Sequence, residues 1–443
     1  MKRPSGSLLR ILGLAFGLAV TVGNTIGAGI LRTPGDIASL LPSPWLFIGI
    51  WVVGALYALL GANALAELGT MMPRNGAQYV FARHAFGDYA GFLVGWMDWV
   101  STCAATGAIA TVIGESVSQI ARGPTTLAQP VAMAVVIVFT LLLVRGTRLG
   151  DIAQQITSLL KTLALLALVI ACFAFAGNAN VTRPAPALPS AAGFTAFLLA
   201  AQSVIYAFDG WTGAIYFSEE LDDPARQIPR SMFYGLLSVA VIYLSINIAF
   251  IYAVPLGALA GSPLAAATVA NALFGANGEL IVRVIVVIAL PSAVNACLLM
   301  ASRVLNSVSR DGLGISVASS VNRGGTPAVA LIATSLVTLM FLATGTFNTM
   351  IAIAAFFFVG SYTLSFLAVF VLRRREPRAS RPYRAIGHPF TTGFVLLGSI
   401  AFLACAVIAD RRNSVYALAI VVVSYPAFRL TRPSSVPAPS VVE

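Results

Sequence analysis

The chain has 443 residues, of which 58% are hydrophobic and only 10% are charged. An ordinary soluble domain has roughly 45–50% apolar and about 25% charged residues, so this composition excludes a soluble globular protein. The formal net charge is +11 at pH 7, but the basic residues fall in short segments between apolar runs, where they orient a membrane protein rather than bind nucleic acid. We therefore expect contact with a lipid bilayer and no nucleic-acid partner.

Apolar runs of about 20 residues recur along the chain, and each is long enough to cross a hydrocarbon core of about 30 Å as a helix. The alternating strands of an outer-membrane barrel are absent from the sequence. The first run is longer than a signal-peptide core and lacks a clean cleavage site, so we predict a retained first span. The sequence predicts an all-α membrane protein with twelve transmembrane helices, at residues 10–33, 44–70, 86–119, 127–146, 152–176, 193–218, 229–253, 275–306, 327–345, 348–373, 389–409 and 414–430.

The distribution of basic residues over the loops predicts the orientation. Twelve spans place both termini on the same face of the membrane. Of the 27 Lys and Arg residues, 20 fall on the face that holds the termini and 6 on the opposite face, while Lys161 lies within a span. Because cytoplasmic loops carry the excess of basic residues, we expect a multi-pass protein of the cell (inner) membrane with both termini in the cytoplasm.

The first span contains the stretch VGNTIGAGI, residues 22–30, in which Gly23, Gly27 and Gly29 lie close together. A glycine inside a helix costs about 1 kcal/mol relative to alanine, so the cluster needs a reason. One interpretation is the close packing of a neighbouring helix on Gly23 and Gly27. The other is a break near residues 25–29, where unwound backbone leaves N–H and C=O groups free to bind a polar solute.

The sixth span contains a second interruption, YAFDGWTG at residues 206–213, with Asp209 followed by Gly210. A carboxylate near the bilayer centre costs about 2.5–3.5 kcal/mol on insertion scales, so it normally faces protein or water. Two breaks five spans apart are the pattern of two five-helix repeats with opposite topology. We therefore predict one repeat at residues 10–176, broken near 25–29, a second at 193–373, broken near 207–213, and two further spans at 389–430.

A break of this kind suits a zwitterion. The end of the first half-helix, around residues 22–25, offers carbonyl groups and the negative end of the helix dipole to an ammonium group. The start of the next half-helix, at Gly27, Gly29 and Ile30, offers N–H groups to a carboxylate. Glycine also lets a ligand reach the backbone without a Cβ in the way. The sequence therefore predicts that the breaks bind an amino acid.

Five stretches between residues 23 and 389 carry a resemblance to a known family. They are GNTIGAGIL, LAELGTMMPRNGAQYVFARHAFGDYAGFLVGW, YAFDGWTGAIYFSEELDDPARQIPRSM, NACLLMASRVLNSVSRDG and RRREPRASRPYRAIGHP. With these motifs the chain resembles the amino acid-polyamine-organocation superfamily of transporters. The DGW of the sixth span, with the EEL and IPRS that follow it, is more similar to the L-type, neutral amino acid branch than to the arginine and polyamine antiporters.

The resemblance implies the LeuT-like fold, with two inverted five-helix repeats and two additional C-terminal helices. It implies a substrate carboxylate on residues 27–29 and a substrate ammonium on the backbone near residues 25–26 and 206–208. It also implies that Tyr206 is an aromatic gate and that Trp211 lines the side-chain pocket, with core or lipid packing as the alternative for both. The predicted substrate-binding residues are Thr25, Ile26, Gly27, Ala28, Gly29, Ile30, Tyr206, Ala207, Phe208, Asp209, Gly210 and Trp211.

Lys161 lies inside the fifth span without a charged neighbour along its helix. Snorkelling of the ammonium group to the cytoplasmic surface is one explanation. The resemblance implies another, because sodium-independent members carry a lysine where sodium-driven relatives hold a sodium ion. Its ammonium would then bridge the first break and a hydroxyl of the eighth span. Ala293 occupies the aligned serine position, so Ser292 and Asn295 are the candidate partners there.

Several acidic residues lie in or near the spans. We expect Glu67 to form an ion pair with a loop arginine, whereas Asp98 is either a gate or a packing residue. Asp209 either contacts a substrate ammonium or bonds N–H groups of the break itself. A cytoplasmic cluster is expected to form ion pairs that close an inner gate, and its members are Glu219, Glu220, Asp222, Asp223, Arg226 and Arg230.

Other function classes have weaker support in the sequence. His84 and His388 are the only histidines, the four cysteines are scattered singly, and no HExxH, Cys/His cluster or GxSxG is present, so neither an enzyme nor a metal site is expected. A retinal-type protein would need a Schiff base on Lys161. A channel, an amino acid sensor and a cationic amino acid or polyamine transporter remain as alternatives.

The interpretation that we carry forward is a sodium-independent secondary transporter of neutral amino acids, either an exchanger or a proton-coupled symporter. It needs no cofactor, and a monomer is expected to be sufficient.

Overall fold

The computed structural model describes residues 13–41, 43–74, 76–145, 148–178, 193–218, 221–322 and 325–431. Within these ranges the chain forms α-helices and short 3-10 turns and no β-strand. The predicted all-α class is therefore confirmed. Glu219 and Glu220, expected at an inner gate, lie outside the described residues.

The helices follow the predicted spans closely. In chain order they are α1 (Leu14–Thr25), α2 (Ala28–Leu40), α3 (Pro44–Met71), α4 (Gln78–Phe86), α5 (Asp88–Ile120), α6 (Ala128–Arg145), α7 (Arg148–Phe175), α8 (Phe194–Phe208), α9 (Gly213–Tyr216), α10 (Pro224–Ala253), α11 (Leu256–Leu259), α12 (Ala265–Phe274), α13 (Ala276–Arg310), α14 (Ala328–Thr344), α15 (Phe347–Arg375), α16 (Phe390–Ala409) and α17 (Arg411–Thr431).

Eight helical segments of the described chain are long and apolar enough to cross a membrane. They are α3, α5, α6 with the turn before it, α10, α13, α15, α16 and α17. Four shorter apolar helices accompany them, at Leu159–Phe175, Phe194–Phe208, Ala265–Phe274 and Ala328–Thr344. Because the first and sixth predicted spans are each divided between two shorter helices, the count of twelve spans stays a prediction.

The first span was predicted to end at residue 33, but α2 continues to Leu40 through Pro34. The sequence suggested an end there because Arg32 is charged. In the structure Arg32 pairs with Glu115 of α5, so its charge is neutralised against a neighbouring helix. Helices α4 and α12 were not predicted either, because at 9 and 10 residues they are too short to cross a membrane.

Helix α5 is buried along most of its length and packs against α13, α15, α6 and α14, so it lies at the centre of the bundle. Helices α6, α16 and α17 lie at the outside and expose large apolar side chains such as Leu141, Phe394 and Val422. Exposed aliphatic and aromatic side chains on such helices are suited to contact with lipid tails. The bundle is therefore built around a buried central helix.

The two interrupted helices touch at their breaks. A Cβ placed on Gly29 would lie 2.7 Å from the Cα of Ala207 in α8. Gly210 has φ +108°, and a Cβ there would lie 2.8 Å from the carbonyl carbon of Asn24. Both contacts require glycine because a side chain would collide with backbone. By contrast, a Cβ on Gly27 would meet no atom closer than the Thr25 carbonyl oxygen at 4.0 Å.

A buried carboxylate joins α3 to the chain between α15 and α16. Glu67 accepts hydrogen bonds from Arg373 Nε (2.9 Å) and from the backbone N–H of Ala385 (2.8 Å). The Nε of Arg381 lies 3.2 Å from its Oε1. Glu67 and Arg381 are 1% and 5% exposed at their side chains. The expected ion pair between Glu67 and a loop arginine is therefore present, with Arg373 as a further partner.

Replacing Glu67 by alanine should lower the free energy of unfolding by about 3–5 kcal/mol, because it leaves two guanidinium groups without their buried partner. Thermal unfolding of the purified protein in detergent measures this. The control is Glu376→Ala, which removes a pairing with His84 between two partly exposed side chains and should cost about 0–1 kcal/mol. Equal melting temperatures for the two variants would contradict the assignment of Glu67 as a structural clamp.

Candidate binding site at the two helix breaks

The first break occupies two residues. Helix α1 ends at Thr25, and Ile26 (φ −74°, ψ 90°) and Gly27 (φ −128°, ψ −152°) are extended before α2 begins at Ala28. A helix start leaves its first N–H groups without intrahelical partners, and a helix end leaves its last carbonyls free. The positive end of the α2 dipole and the negative end of the α1 dipole therefore meet at Ile26 and Gly27.

The second break lies at the end of α8. Asp209 leaves the helix with φ −61° and ψ 152°, and Gly210 takes a positive φ that favours glycine. A turn closed by the Gly213 N–H on the Gly210 carbonyl (3.0 Å) then leads into α9. The chain therefore abandons helical bonding at Asp209 and resumes it at Gly213.

Tyr243 of α10 joins the two breaks. Its hydroxyl donates to the Thr25 carbonyl at 2.6 Å and also lies 3.0 Å from the Ala207 carbonyl. Tyr243 is 0% exposed and packs edge-on to Trp51 at a centroid distance of 5.7 Å. The sequence did not indicate a role for Tyr243, because the residue pattern of an apolar span does not show whether a tyrosine faces lipid or protein.

A small cavity of about 50 Å³ lies between the breaks. Eight of the twelve predicted substrate residues line it, namely Thr25, Gly27, Ala28, Gly29, Tyr206, Ala207, Asp209 and Gly210. The structure thus brings together the two stretches that are 180 residues apart in the sequence. Side chains that could not be assigned from the sequence also line it, among them Thr102, Cys297 and Met300.

The other four predicted substrate residues do not line this cavity. Ile26 faces a neighbouring apolar fissure, and Ile30 is fully buried. Phe208 packs against Trp51 and Tyr243. Trp211, expected in the side-chain pocket, instead packs at a tilt against Tyr362 with ring centroids 5.0 Å apart. The core-packing alternative therefore describes Trp211 in this structure.

Two carboxylates line the cavity, and each accepts a hydrogen bond from a tyrosine. Both oxygens of Asp98 lie 2.7 Å from the Tyr216 hydroxyl, which ties α5 to α9. Asp209 accepts from the Tyr362 hydroxyl of α15 at 2.5 Å. It also accepts from the backbone N–H of Gly210, which is one of the N–H groups of the break itself. No Lys, Arg or His is among the described residues that line the cavity. The cavity wall therefore has acidic groups without a basic one.

Lys161 is buried, so the snorkelling explanation does not describe it. Its ammonium donates to the Gly23 carbonyl of α1 at 3.1 Å, close to the first break. The expected bridge to a hydroxyl of the eighth span is not formed by Ser292, which donates to the Ala289 carbonyl of its own helix. Asn295 does not line the cavity either.

Outside the cavity, on the side of α2, a cation and two rings stack in sequence. The Arg32 guanidinium lies 3.9 Å from the centroid of the Phe347 ring. Phe347 in turn packs edge-on to Tyr206 with centroids 6.0 Å apart. Because Arg32 also pairs with Glu115, this stack joins α2, α5, α8 and α15. Arg32, Phe347 and Tyr206 thus form a layer on the α2 side of the cavity, and Tyr206 is its member that lines the cavity.

Within the acidic cluster that was expected to form ion pairs, Arg226 and Asp223 are paired, with the Arg226 Nε 3.7 Å from the Asp223 carboxylate. Asp223 also caps α10 by accepting from the Arg226 N–H. A pairing between two helices is made by Arg83 of α4, whose Nη1 lies 2.9 Å from the carboxylate of Asp311 at the end of α13. Tyr79 also donates to Asp311.

Comparison of the sequence with known proteins identifies the family of this chain. The family model described as amino acid permease matches residues 7–426. The serine/threonine exchanger SteT of Bacillus subtilis (strain 168) is 25% identical over 418 residues, which cover 93% of this chain and 94% of the exchanger. The b(0,+)-type amino acid transporter 1 of Mus musculus is 26% identical over 412 residues, covering 91% and 84%. The Asc-type amino acid transporter 1 of Mus musculus is 28% identical over 390 residues, covering 85% and 73%.

A solved structure, the inward-facing conformation of Mhp1, has the same fold, with a TM-score of 0.55 at 16% identity over 97% of this chain and 94% of Mhp1. The expected LeuT-like fold is thereby confirmed. The chain belongs to the amino acid permease family of the amino acid-polyamine-organocation superfamily and is a multi-pass membrane transporter of amino acids.

Proposed function

We propose that the protein is a sodium-independent secondary transporter of small neutral amino acids that binds its substrate at the two helix breaks. The observation that carries the proposal is the shared cavity of the breaks, which Tyr243 holds together through the Thr25 and Ala207 carbonyls. The substrate carboxylate binds the N–H groups of residues 27–29 at the start of α2. The substrate ammonium binds near the last carbonyls of α1 and α8, at the negative ends of both dipoles.

The size of the cavity favours a small substrate. Its volume of about 50 Å³ is room for about three to five water molecules, at roughly 10–15 Å³ each. Because even alanine has six non-hydrogen atoms, the surrounding helices must move apart for any amino acid, and they must move least for alanine, serine or threonine and furthest for arginine or tryptophan. The Bacillus subtilis relative, which its name describes as a serine/threonine exchanger, supports the same choice.

The position of Lys161 supports transport without sodium. Its ammonium bonds the Gly23 carbonyl beside the first break, so a fixed positive charge already occupies that region. A sodium ion there would be repelled by the ammonium at close range. The proposal further includes alternating access between repeats at residues 10–176 and 193–373, cytoplasmic termini, a sufficient monomer, and either exchange or proton coupling.

Transport of cationic amino acids is the second candidate, because Asp98 and Asp209 both line the cavity without a basic residue beside them. An additional positive charge on the substrate would find a partner there. The size of the cavity argues against it. The two candidates therefore differ in the substrates that a direct uptake experiment would detect.

The deciding experiment is uptake of labelled amino acids into proteoliposomes, with and without sodium and with and without a pH gradient. We expect uptake of serine, threonine or alanine driven by unlabelled neutral amino acid inside the vesicle, at the same rate in sodium and in choline. Uptake of arginine or lysine without uptake of these three would support the second candidate instead. Uptake that depends on sodium would contradict the proposed role of Lys161.

Replacing Lys161 by alanine tests that role directly. The change removes the positive charge beside the first break and leaves the Gly23 carbonyl without its donor, so we expect uptake to fall at least tenfold. Leu163→Ala, at an exposed position of α7, is the matched control and should retain most of the uptake. Full activity of Lys161→Ala in purified, monodisperse protein would exclude a function for the ammonium group.

Substitutions of Gly27 and Gly29 distinguish a role in substrate binding from a role in helix packing. Gly27→Ala adds a methyl group whose nearest protein atom is the Thr25 carbonyl oxygen at 4.0 Å, and Gly27 lines the cavity, so substrate affinity should fall at least tenfold while the melting temperature stays unchanged. Gly29→Ala collides with the backbone of Ala207 and should lower stability by about 1–3 kcal/mol. Uptake and thermal unfolding of both variants test this, and unaltered affinity in Gly27→Ala would contradict the substrate position.

A further inference from the structure

We propose that the apolar fissure between α7 and α13 binds an acyl chain of a membrane lipid, with the end of that chain packed behind the first helix break. The fissure has a volume of about 220 Å³ and lies beside the substrate cavity. Its walls come from α7, α12, α13 and the stretch from Ile26 to Leu31. The inference concerns a separate site and does not rest on the identity of the transported amino acid.

The walls exclude a polar occupant. Seventeen of the eighteen lining residues are alanine, glycine, leucine, isoleucine, valine or phenylalanine, and the other is Lys161. The Lys161 ammonium is directed to the Gly23 carbonyl. An apolar cavity of about 150 Å³ stays free of water and accepts a molecule such as benzene. The fissure is larger and equally apolar, so its natural occupant is a hydrocarbon.

The side of the fissure opens toward the bilayer. Two of its lining residues, Phe274 and Ile281, are 45% and 59% exposed, so the fissure reaches the outer surface of the bundle. The neighbouring outward faces of α7 and α13 expose Ile170 and Ile288. Helix α13 is long and apolar enough to cross a membrane, and α7 is apolar over Leu159–Phe175, so lipid tails surround this opening. An acyl chain can enter without leaving the hydrocarbon region.

Aromatic side chains lie at the exposed end of the fissure. Phe175 at the end of α7 packs edge-on to Phe274 at the end of α12, with ring centroids 5.4 Å apart. The other end reaches Ile26 and Gly27, and Gly27 also lines the substrate cavity. A chain that enters between α7 and α13 therefore ends against the side of the break that faces away from the substrate.

Van der Waals packing is the physical reason that an acyl chain occupies the fissure. Transfer of an acyl chain from the bilayer into the fissure gains little hydrophobic energy, because both surroundings are apolar. The gain comes from dispersion contacts, since an empty space leaves the atoms that line it without neighbours. Filling the space also supports the extended residues Ile26 and Gly27 from behind.

The test uses photo-crosslinking in vesicles. The full chain is reconstituted into phosphatidylcholine vesicles that contain a phosphatidylcholine with a diazirine on its acyl chain, and crosslinked peptides are identified by mass spectrometry after illumination. We expect crosslinks on the fissure side of α7 and α13 at several times the frequency found on the exposed face of α17. Equal frequencies on the fissure and on α17 would overturn the proposal.

A matched pair of variants on α7 tests whether the label enters the fissure. Ala164 lines the fissure, so Ala164→Phe fills it and should reduce crosslinking at α13 at least threefold. Ala174 is exposed on the same helix outside the fissure, so Ala174→Phe should leave crosslinking unchanged. Unchanged crosslinking in Ala164→Phe would overturn the proposal.

Ala289→Leu narrows the same space from α13 and provides a second blocking variant if Ala164→Phe is not monodisperse. Ala289→Leu should reduce lipid crosslinking on α7, and crosslinking at the wild-type frequency would contradict the proposed lipid site. Because the readout is lipid labelling, it gives an answer whether or not any amino acid is transported. Failure of the lipid site is therefore distinguishable from failure of the proposed transport function.

Discussion

Inside a bilayer, main-chain N–H and C=O groups that lack helical partners need hydrogen bonds from elsewhere in the protein. The single hydroxyl of Tyr243 contacts one such carbonyl in each break. Its contacts with the Thr25 and Ala207 carbonyls fix the end of α1 beside the end of α8. Two glycines make this approach possible, since Gly29 lies against Ala207 and Gly210 against Asn24. The remaining unpaired groups of the breaks are then available to a ligand.

The side chains around the cavity form two layers that join different helices. On the α2 side, Arg32 lies over the ring of Phe347, which packs edge-on against Tyr206. On the α9 side, Asp98 and Asp209 are each held by a tyrosine from another helix. In the proposed alternating-access cycle each layer would open in turn, and single hydrogen bonds and ring contacts can be exchanged at small energetic cost. In this proposal the two breaks stay between the layers and hold the substrate in either state.

Much of this architecture could be predicted from the sequence, because apolar length fixes the helices and glycine clusters mark the breaks. The predictions that the structure contradicts mostly concern the direction in which a side chain points. Trp211 was assigned to the pocket because it follows the break, yet its ring packs at a tilt against Tyr362 from α15. Tyr243 and Cys297 gave no signal, because an almost uniformly apolar helix shows no periodicity that separates its lipid face from its cavity face. The long extension of α2 was missed because the partner of Arg32, Glu115, is 83 residues away.

The central claim is that main-chain groups of the two breaks hold both charges of a zwitterion. The most direct measurement is competition for uptake by three forms of the best neutral substrate: the free amino acid, its methyl ester, which lacks the carboxylate, and its N-acetyl derivative, which lacks the ammonium. The account predicts that each derivative competes at least tenfold less well than the free amino acid, because each leaves one set of backbone groups unpaired. Competition by either derivative with the same strength as the free amino acid would contradict it.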